Sequence, residues 1–307
     1  MDRIYVMQLV RSFQCGEISR RDFLKRATIA VGSAVAAQML LTACGTGTGT
    51  TPPPVVESNP EPVAMGEETG LIAADITYTD EDGSELMGYL ARPVENTGRS
   101  AIVVIQEWWG LDNHIRDLTR RFAREGFVAL APDLYNGVST SEPDEARKLV
   151  MELDMVNAVR EIGQAMNYLL EQEYVTGDQI GVVGFCLGGA LALQTARTFE
   201  TVGAAVAFYG RPLEPEQAGD VKAPVLGLYG ALDEGIPVEG VRAMEAALPT
   251  TVELTTEEGA TPVELTHEFR IYPGAGHAFL NDTRASYNEA AARDAWNRAV
   301  QWFRNNL

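Results

Sequence analysis

A chain of 307 residues, 46% hydrophobic and 22% charged, has the composition of a globular protein with enough apolar content for one large core. A net charge of −19, with no basic patch interleaved with aromatics, argues against a nucleic-acid partner. Three cysteines rule out a disulfide-dense scaffold, and three histidines leave little for a metal site.

The first segment reads as a leader. Ser19-Arg20-Arg21-Asp22-Phe23-Leu24-Lys25 carries paired arginines, an apolar run follows from Ala27 to Leu41, and Leu41-Thr42-Ala43-Cys44 closes it. The run is too short and alanine-rich for a comfortable membrane span and fits the apolar region of an export signal. This leader resembles a twin-arginine lipoprotein signal, which implies loss of residues 1–43 and lipidation of Cys44. Residues 44–64, rich in Gly, Thr and Pro, cannot bury enough apolar surface to fold and read as a tether. Residues 65–307 form the folded domain. The leader holds six basic and three acidic residues, so its removal takes the charge to about −22. Anionic headgroups repel such a surface, and the expected membrane contact on the extracytoplasmic side is through the lipid alone. With Cys15 lost and Cys44 acylated, Cys186 is the one free thiol expected in the mature chain, in a compartment where an idle thiol is exposed to oxidation.

Ile72–Thr79 and Glu85–Arg92 alternate apolar and polar around Asp82-Gly83, the pattern of a β-hairpin. Ala101–Ile105 is wholly apolar, as a buried parallel strand is, and ends at Gln106-Glu107-Trp108-Trp109-Gly110. A helix is expected from Asn113 to Glu125, a strand over Phe127–Ala131 closing on Pro132-Asp133-Leu134-Tyr135, and helical pattern from Pro143 to Glu173. Then a β-branched run (Ile180, Val182, Val183) breaks at Gly184-Phe185-Cys186-Leu187-Gly188 into a small-residue helix. That is the pattern of a nucleophile elbow with cysteine in the serine position, a strained turn whose flanks leave no room for a Cβ. A buried structural cysteine is the competing reading of this pentapeptide.

Strands follow over Ala204–Tyr209 and Val225–Tyr229, a helix over Val238–Ala247, a strand over Glu268–Tyr272 and a closing helix over Ala285–Arg304; Thr251–His267 reads as an insertion. Strands alternating with helices predict a doubly wound α/β domain with a mainly parallel sheet. Asp233 sits just after one strand end, and His277 lies in the glycine-rich loop after the last strand. The order nucleophile, acid, histidine is that of the α/β hydrolases, in which the carboxyl ends of the strands bring distant residues to one crevice. In that arrangement histidine manages the thiol proton and the carboxylate fixes its orientation, with no cofactor. Glu107, directly after an apolar strand and before two tryptophans, is expected to be desolvated with a raised pKa.

The segments Gly184–Gly189, Glu107–Gly110, Ala131–Tyr135, Gly230–Pro237 and Pro273–Phe279 together resemble the dienelactone hydrolase family from Ile72 to Leu307. The resemblance implies the α/β-hydrolase fold, a Cys186–His277–Asp233 triad and a Glu107 that contacts the cysteine and controls its ionisation. It also implies oxyanion donors at the Leu187 and Trp108 N–H groups. Trp109, Tyr135, Arg147 and Phe279 are candidate pocket residues. Family members acting on dienelactone hold its carboxylate with arginines, one shortly after the histidine; here His277–Asn281 contains none. The expected activity is cleavage of a small ester or lactone through an acyl-thioester. The alternatives are a general carboxylesterase or thioesterase, a non-catalytic envelope binding protein, and a thiol redox sensor.

Overall fold

The computed structural model describes residues 70–95, 97–256 and 259–307; the leader, Cys44 and the tether at residues 44–64 lie outside the described residues. Strands β1 (Leu71–Thr79) and β2 (Glu85–Pro93) form the antiparallel hairpin expected around Asp82-Gly83. Gly83 takes a φ of 85°, open to glycine at little cost, and the Asp80 N–H donates across the turn to the Ser84 carbonyl at 2.8 Å. β3 (Ala101–Ile105), β4 (Val128–Pro132), β5 (Ile180–Phe185), β6 (Val202–Phe208) and β7 (Val225–Gly230) are buried at every residue. With β10 (His267–Tyr272) they complete an eight-stranded sheet in the order β1-β2-β4-β3-β5-β6-β7-β10. Only the β1–β2 and β2–β4 pairings are antiparallel.

Successive side chains along a strand point to opposite faces, so one all-apolar strand feeds two cores. Val103 and Ile105 pack with helices α3 (Met155–Leu170), α4 (Leu187–Thr198) and α6 (Val238–Ala247). Ile102 and Val104 pack on the other face with α1 (Asn113–Arg124) and α7 (Glu289–Asn306). Burial on both faces explains the β-branched runs without alternation.

Some boundaries differ from expectation for local reasons. The helical stretch after Pro143 is two helices, α2 (Pro143–Glu152) and α3, because Asp154 leaves the helix to cap α3 through the N–H groups of Val156 and Asn157. α7 starts at Glu289 rather than Ala285, where the Asn288 side chain accepts from the Ala291 N–H at 3.1 Å. The insertion is a hairpin, β8 (Thr251–Thr256) with β9 (Gly259–Glu264), paired with itself apart from the main sheet. A short helix, α5 (Pro215–Ala218), has no counterpart in the sequence reading. No helix among the described residues is long and apolar enough to cross a membrane.

Candidate active site

The turn between β5 and α4 puts Cys186 at φ 55°, ψ −112°, a positive-φ conformation that costs a non-glycine residue on the order of 1–3 kcal/mol. Close packing leaves it no alternative. A Cβ on Gly184 would lie 1.9 Å from the Gly188 carbonyl oxygen, and one on Gly188 would lie 2.3 Å from the Ile105 carbonyl oxygen. The Cys186 N–H donates to the Phe208 carbonyl at 3.0 Å, pinning the turn to β6. Cys186 is thus raised above the sheet at the N-terminus of α4, where the helix dipole favours negative charge.

The loops after β7 and β10 are stitched together. The Ala231 N–H donates to the Tyr272 carbonyl and the Leu232 N–H to the Ala275 carbonyl, each at 2.9 Å. This brings Asp233 and His277 into contact at 2.6 Å between Oδ2 and Nδ1, while Asp233 Oδ1 accepts from the N–H groups of Gly235 and Ile236 at 3.0 and 3.1 Å. The Asp233 side chain is only 2% exposed, so its carboxylate is fixed by three partners and shielded from water. Burial lowers the His277 pKa, but the hydrogen bond to Asp233 and the neighbouring Cys186 outweigh it and push the ring up to about 10.

Cys186, Asp233 and His277 share a cavity of about 720 Å³ at the carboxyl ends of the strands. Trp108 and Trp109 wall it from the β3 loop, Leu232 and Ile236 from the β7 loop, and Ala278 and Arg284 from the β10 loop. The N–H groups of Leu187 and Trp108 donate to no acceptor among the described residues, which leaves both free for a ligand oxygen.

Glu107 also borders the cavity and is 2% exposed. Its oxygens accept from Asn281 Nδ2 at 2.9 Å and from Tyr209 Oη at 3.3 Å, so its hydrogen bonds go to these two residues rather than to Cys186. Burial raises its pKa, against the opposing pull of His114 and these two hydrogen bonds. Tyr209, itself at φ 39°, also packs edge-on against the His277 ring with centroids 5.3 Å apart.

The remaining candidate pocket residues are divided. Trp109 lines the cavity. Tyr135 is buried in the core, its hydroxyl without a partner among the described residues and its pKa raised by burial and then by the charge of Cys186. Phe279 does not line the cavity: it is completely buried, its ring packed against those of Tyr209 and Tyr272. Arg147 is exposed on α2 and bonds Asp144 one turn back at 2.8 Å, away from the site. Sequence reasoning missed Tyr209, Asn281 and Arg284. Tyr209 at the end of β6 could have been found from the rule that site residues gather at strand ends; the other two sit in a turn-rich loop without periodicity.

Residues 86–307 match the family model described as the dienelactone hydrolase family. The chain belongs to that family. A Methylorubrum extorquens protein provisionally named a carboxymethylenebutenolidase is 34% identical over 253 residues, covering 78% of this chain and 82% of that one. A Klebsiella pneumoniae crystal structure, provisionally titled a dienelactone hydrolase, superposes with a TM-score of 0.66 at 32% identity over 76% of this chain and 98% of its own. At 21% identity, the dienelactone hydrolase from Anabaena variabilis shares the fold with a TM-score of 0.57, over 78% of this chain and 99% of its own. This dienelactone hydrolase family member therefore has the α/β-hydrolase fold and is an ester-bond hydrolase.

Proposed function

We propose that this hydrolase uses Cys186 as its nucleophile and cleaves a small ester or lactone through an acyl-thioester. The observation that carries this reading is the 2.6 Å Asp233–His277 contact in the cavity that holds the elbow cysteine. His277, held above its ordinary pKa, keeps a ring proton at neutral pH while a thiolate faces it. The sulfur adds to the ester carbonyl, and the developing oxyanion receives the Leu187 and Trp108 N–H groups. On collapse the C–O bond breaks and His277 gives its proton to the leaving alkoxide. The now neutral ring takes a proton from water, whose oxygen attacks the thioester. Collapse of that second intermediate releases the acid and returns the sulfur as thiolate opposite the imidazolium. Asp233 holds Nδ1–H throughout, and burial raises the pKa of Glu107, which disfavours a second negative charge beside the sulfur.

The test is hydrolysis of a panel of small lactones and esters, dienelactone included, by the full chain in reductant, with Cys186→Ala beside it. Cysteine-dependent turnover supports the reading, and turnover retained in folded Cys186→Ala rejects it. We further propose that the protein is exported and lipid-anchored at Cys44, supported by the paired arginines, the apolar run and Leu41-Thr42-Ala43-Cys44. Labelling with an alkynyl fatty acid that Cys44→Ala abolishes would establish the anchor; equal labelling would refute it.

A further inference from the structure

Along β6 the side chains alternate: Ala205 and Ala207 face one core, Val206 and Phe208 the other. Continued extension would send Tyr209 to the face of Ala207. It lies instead in the core of Phe208, because its φ of 39° turns the chain at the end of the strand. A bulky residue in that region costs on the order of 1–3 kcal/mol and persists only where its surroundings dictate it. Here the Cys186 N–H holds the Phe208 carbonyl at 3.0 Å and the Tyr209 N–H donates to the Leu228 carbonyl at 2.9 Å. Gly210 then meets Gly189 so closely that neither has room for a Cβ. The turn is fixed by the elbow on one side and by β7 on the other.

This turn delivers a fully buried tyrosine between two groups of the site. The ring packs edge-on against His277, 5.3 Å between centroids at 63°, and against Phe279. The hydroxyl donates to Glu107 Oε1 at 3.3 Å; burial and the charges of Glu107 and Cys186 push its own pKa well up, so it remains a donor. The His277 side chain is 40% exposed, and its bond to Asp233 fixes Nδ1 alone, leaving the imidazole free to rock about that contact unless a rigid group backs it. We propose that Tyr209 is a positioning residue: its ring backs the imidazole and keeps it opposite the Cys186 sulfur, and its hydroxyl holds that ring in place through Glu107. This rests on the hydrolase reading above and adds the residue that aims its histidine. The titratable and charged groups around His277 are Asp233 and Cys186; those around Glu107 are His114 and Asp112, with neutral Asn281 as second donor. All of them stay in a Tyr209 variant, so a changed titration there reports the tyrosine.

The test follows the His277 ring protons of the full chain by NMR against pH, assigned with His277→Gln, and measures kcat and KM on 4-nitrophenyl acetate. Wild type, Tyr209→Phe and Tyr209→Leu are compared, with Tyr209→Met taking the place of a leucine variant that fails to fold. In wild type the ring titrates at about 10, raised in part by its bond to Cys186. Tyr209→Leu is expected to titrate lower, toward the ordinary value near 6.5, and to lose about ten- to a hundredfold in kcat with little change in KM. Tyr209→Phe keeps the ring and should keep the His277 titration and most of kcat. It leaves Glu107 with one donor fewer, so the carboxyl infrared band that Glu107→Gln removes should persist to higher pH. A wild-type His277 titration in Tyr209→Leu, or equal losses of kcat in Tyr209→Phe and Tyr209→Leu, would overturn the role of the ring. An unmoved Glu107 band in Tyr209→Phe would overturn that of the hydroxyl. Were no ester turned over by any form, the hydrolase reading would fail while the His277 titration still decides Tyr209.

Discussion

At the scale of the residue, the site is a problem in where protons sit. The His277 ring is held above its ordinary value near 6.5, at about 10, so the native state keeps a proton that the unfolded chain has released in between. The stability this contributes is complete below about 6.5 and lost as pH climbs through about 10. Thermal unfolding of His277→Gln across that window should lack the decline seen in wild type; parallel curves would show that the ring is not so held. Asp233→Asn keeps the loop geometry but favours the wrong ring tautomer, and should cost about 10²–10⁴ in kcat. Glu107 has the reverse consequence for an acid. Its raised pKa means the native state binds more protons than the unfolded one above the ordinary carboxyl value, so its contribution falls as pH rises. Relative to Glu107→Gln, wild type should therefore lose stability from acid to neutral pH, measured by denaturant midpoints. A difference that grows with pH would contradict the burial argument.

At the scale of the element, the elbow is built by approach of backbone to backbone. The oxygen of Ile105 on β3 and that of Gly188 on α4 occupy the places where side chains of residues 188 and 184 would go. Gly188→Ala must push β3 or α4 aside, with Glu107 and Trp108 just beyond the end of β3, and should destabilise the protein by about 1–3 kcal/mol and lower turnover. Unchanged stability would mean the turn is looser than drawn. The β8–β9 hairpin makes the opposite case: it pairs only with itself, so replacing Val252–Val263 with a short turn should leave turnover within about twofold. The sequence was legible for the elements whose burial is two-sided or whose caps are explicit, such as β3, β5 and the β1–β2 hairpin. It was less so where one side chain redirects the backbone, as Asp154 and Asn288 do at the starts of α3 and α7. Thr251–Glu264 alternates weakly and has no partner in the main sheet, which hid a hairpin inside an apparent insertion.

At the scale of the whole molecule, an eight-stranded sheet between two helical layers gathers four strand-end segments into one cavity, and the chain order of Cys186, Asp233 and His277 pointed to that meeting. Which side chains face the cavity was not foreseeable from order. Phe279 and Arg284 lie in the same loop, yet one is wholly buried and the other walls the site, a choice made by packing on Tyr209, Tyr272 and Trp109. Arg147, a candidate pocket residue in the sequence, is exposed on α2. The covalent bond proposed at Cys186 is tested directly by mass spectrometry of the full chain, quenched in acid within seconds of mixing with a slowly hydrolysed ester. One acyl group per chain is expected, located on the Cys186 peptide, released with time in water and absent from Cys186→Ala. An acyl group on another residue, or hydrolysis undiminished in Cys186→Ala, would contradict it.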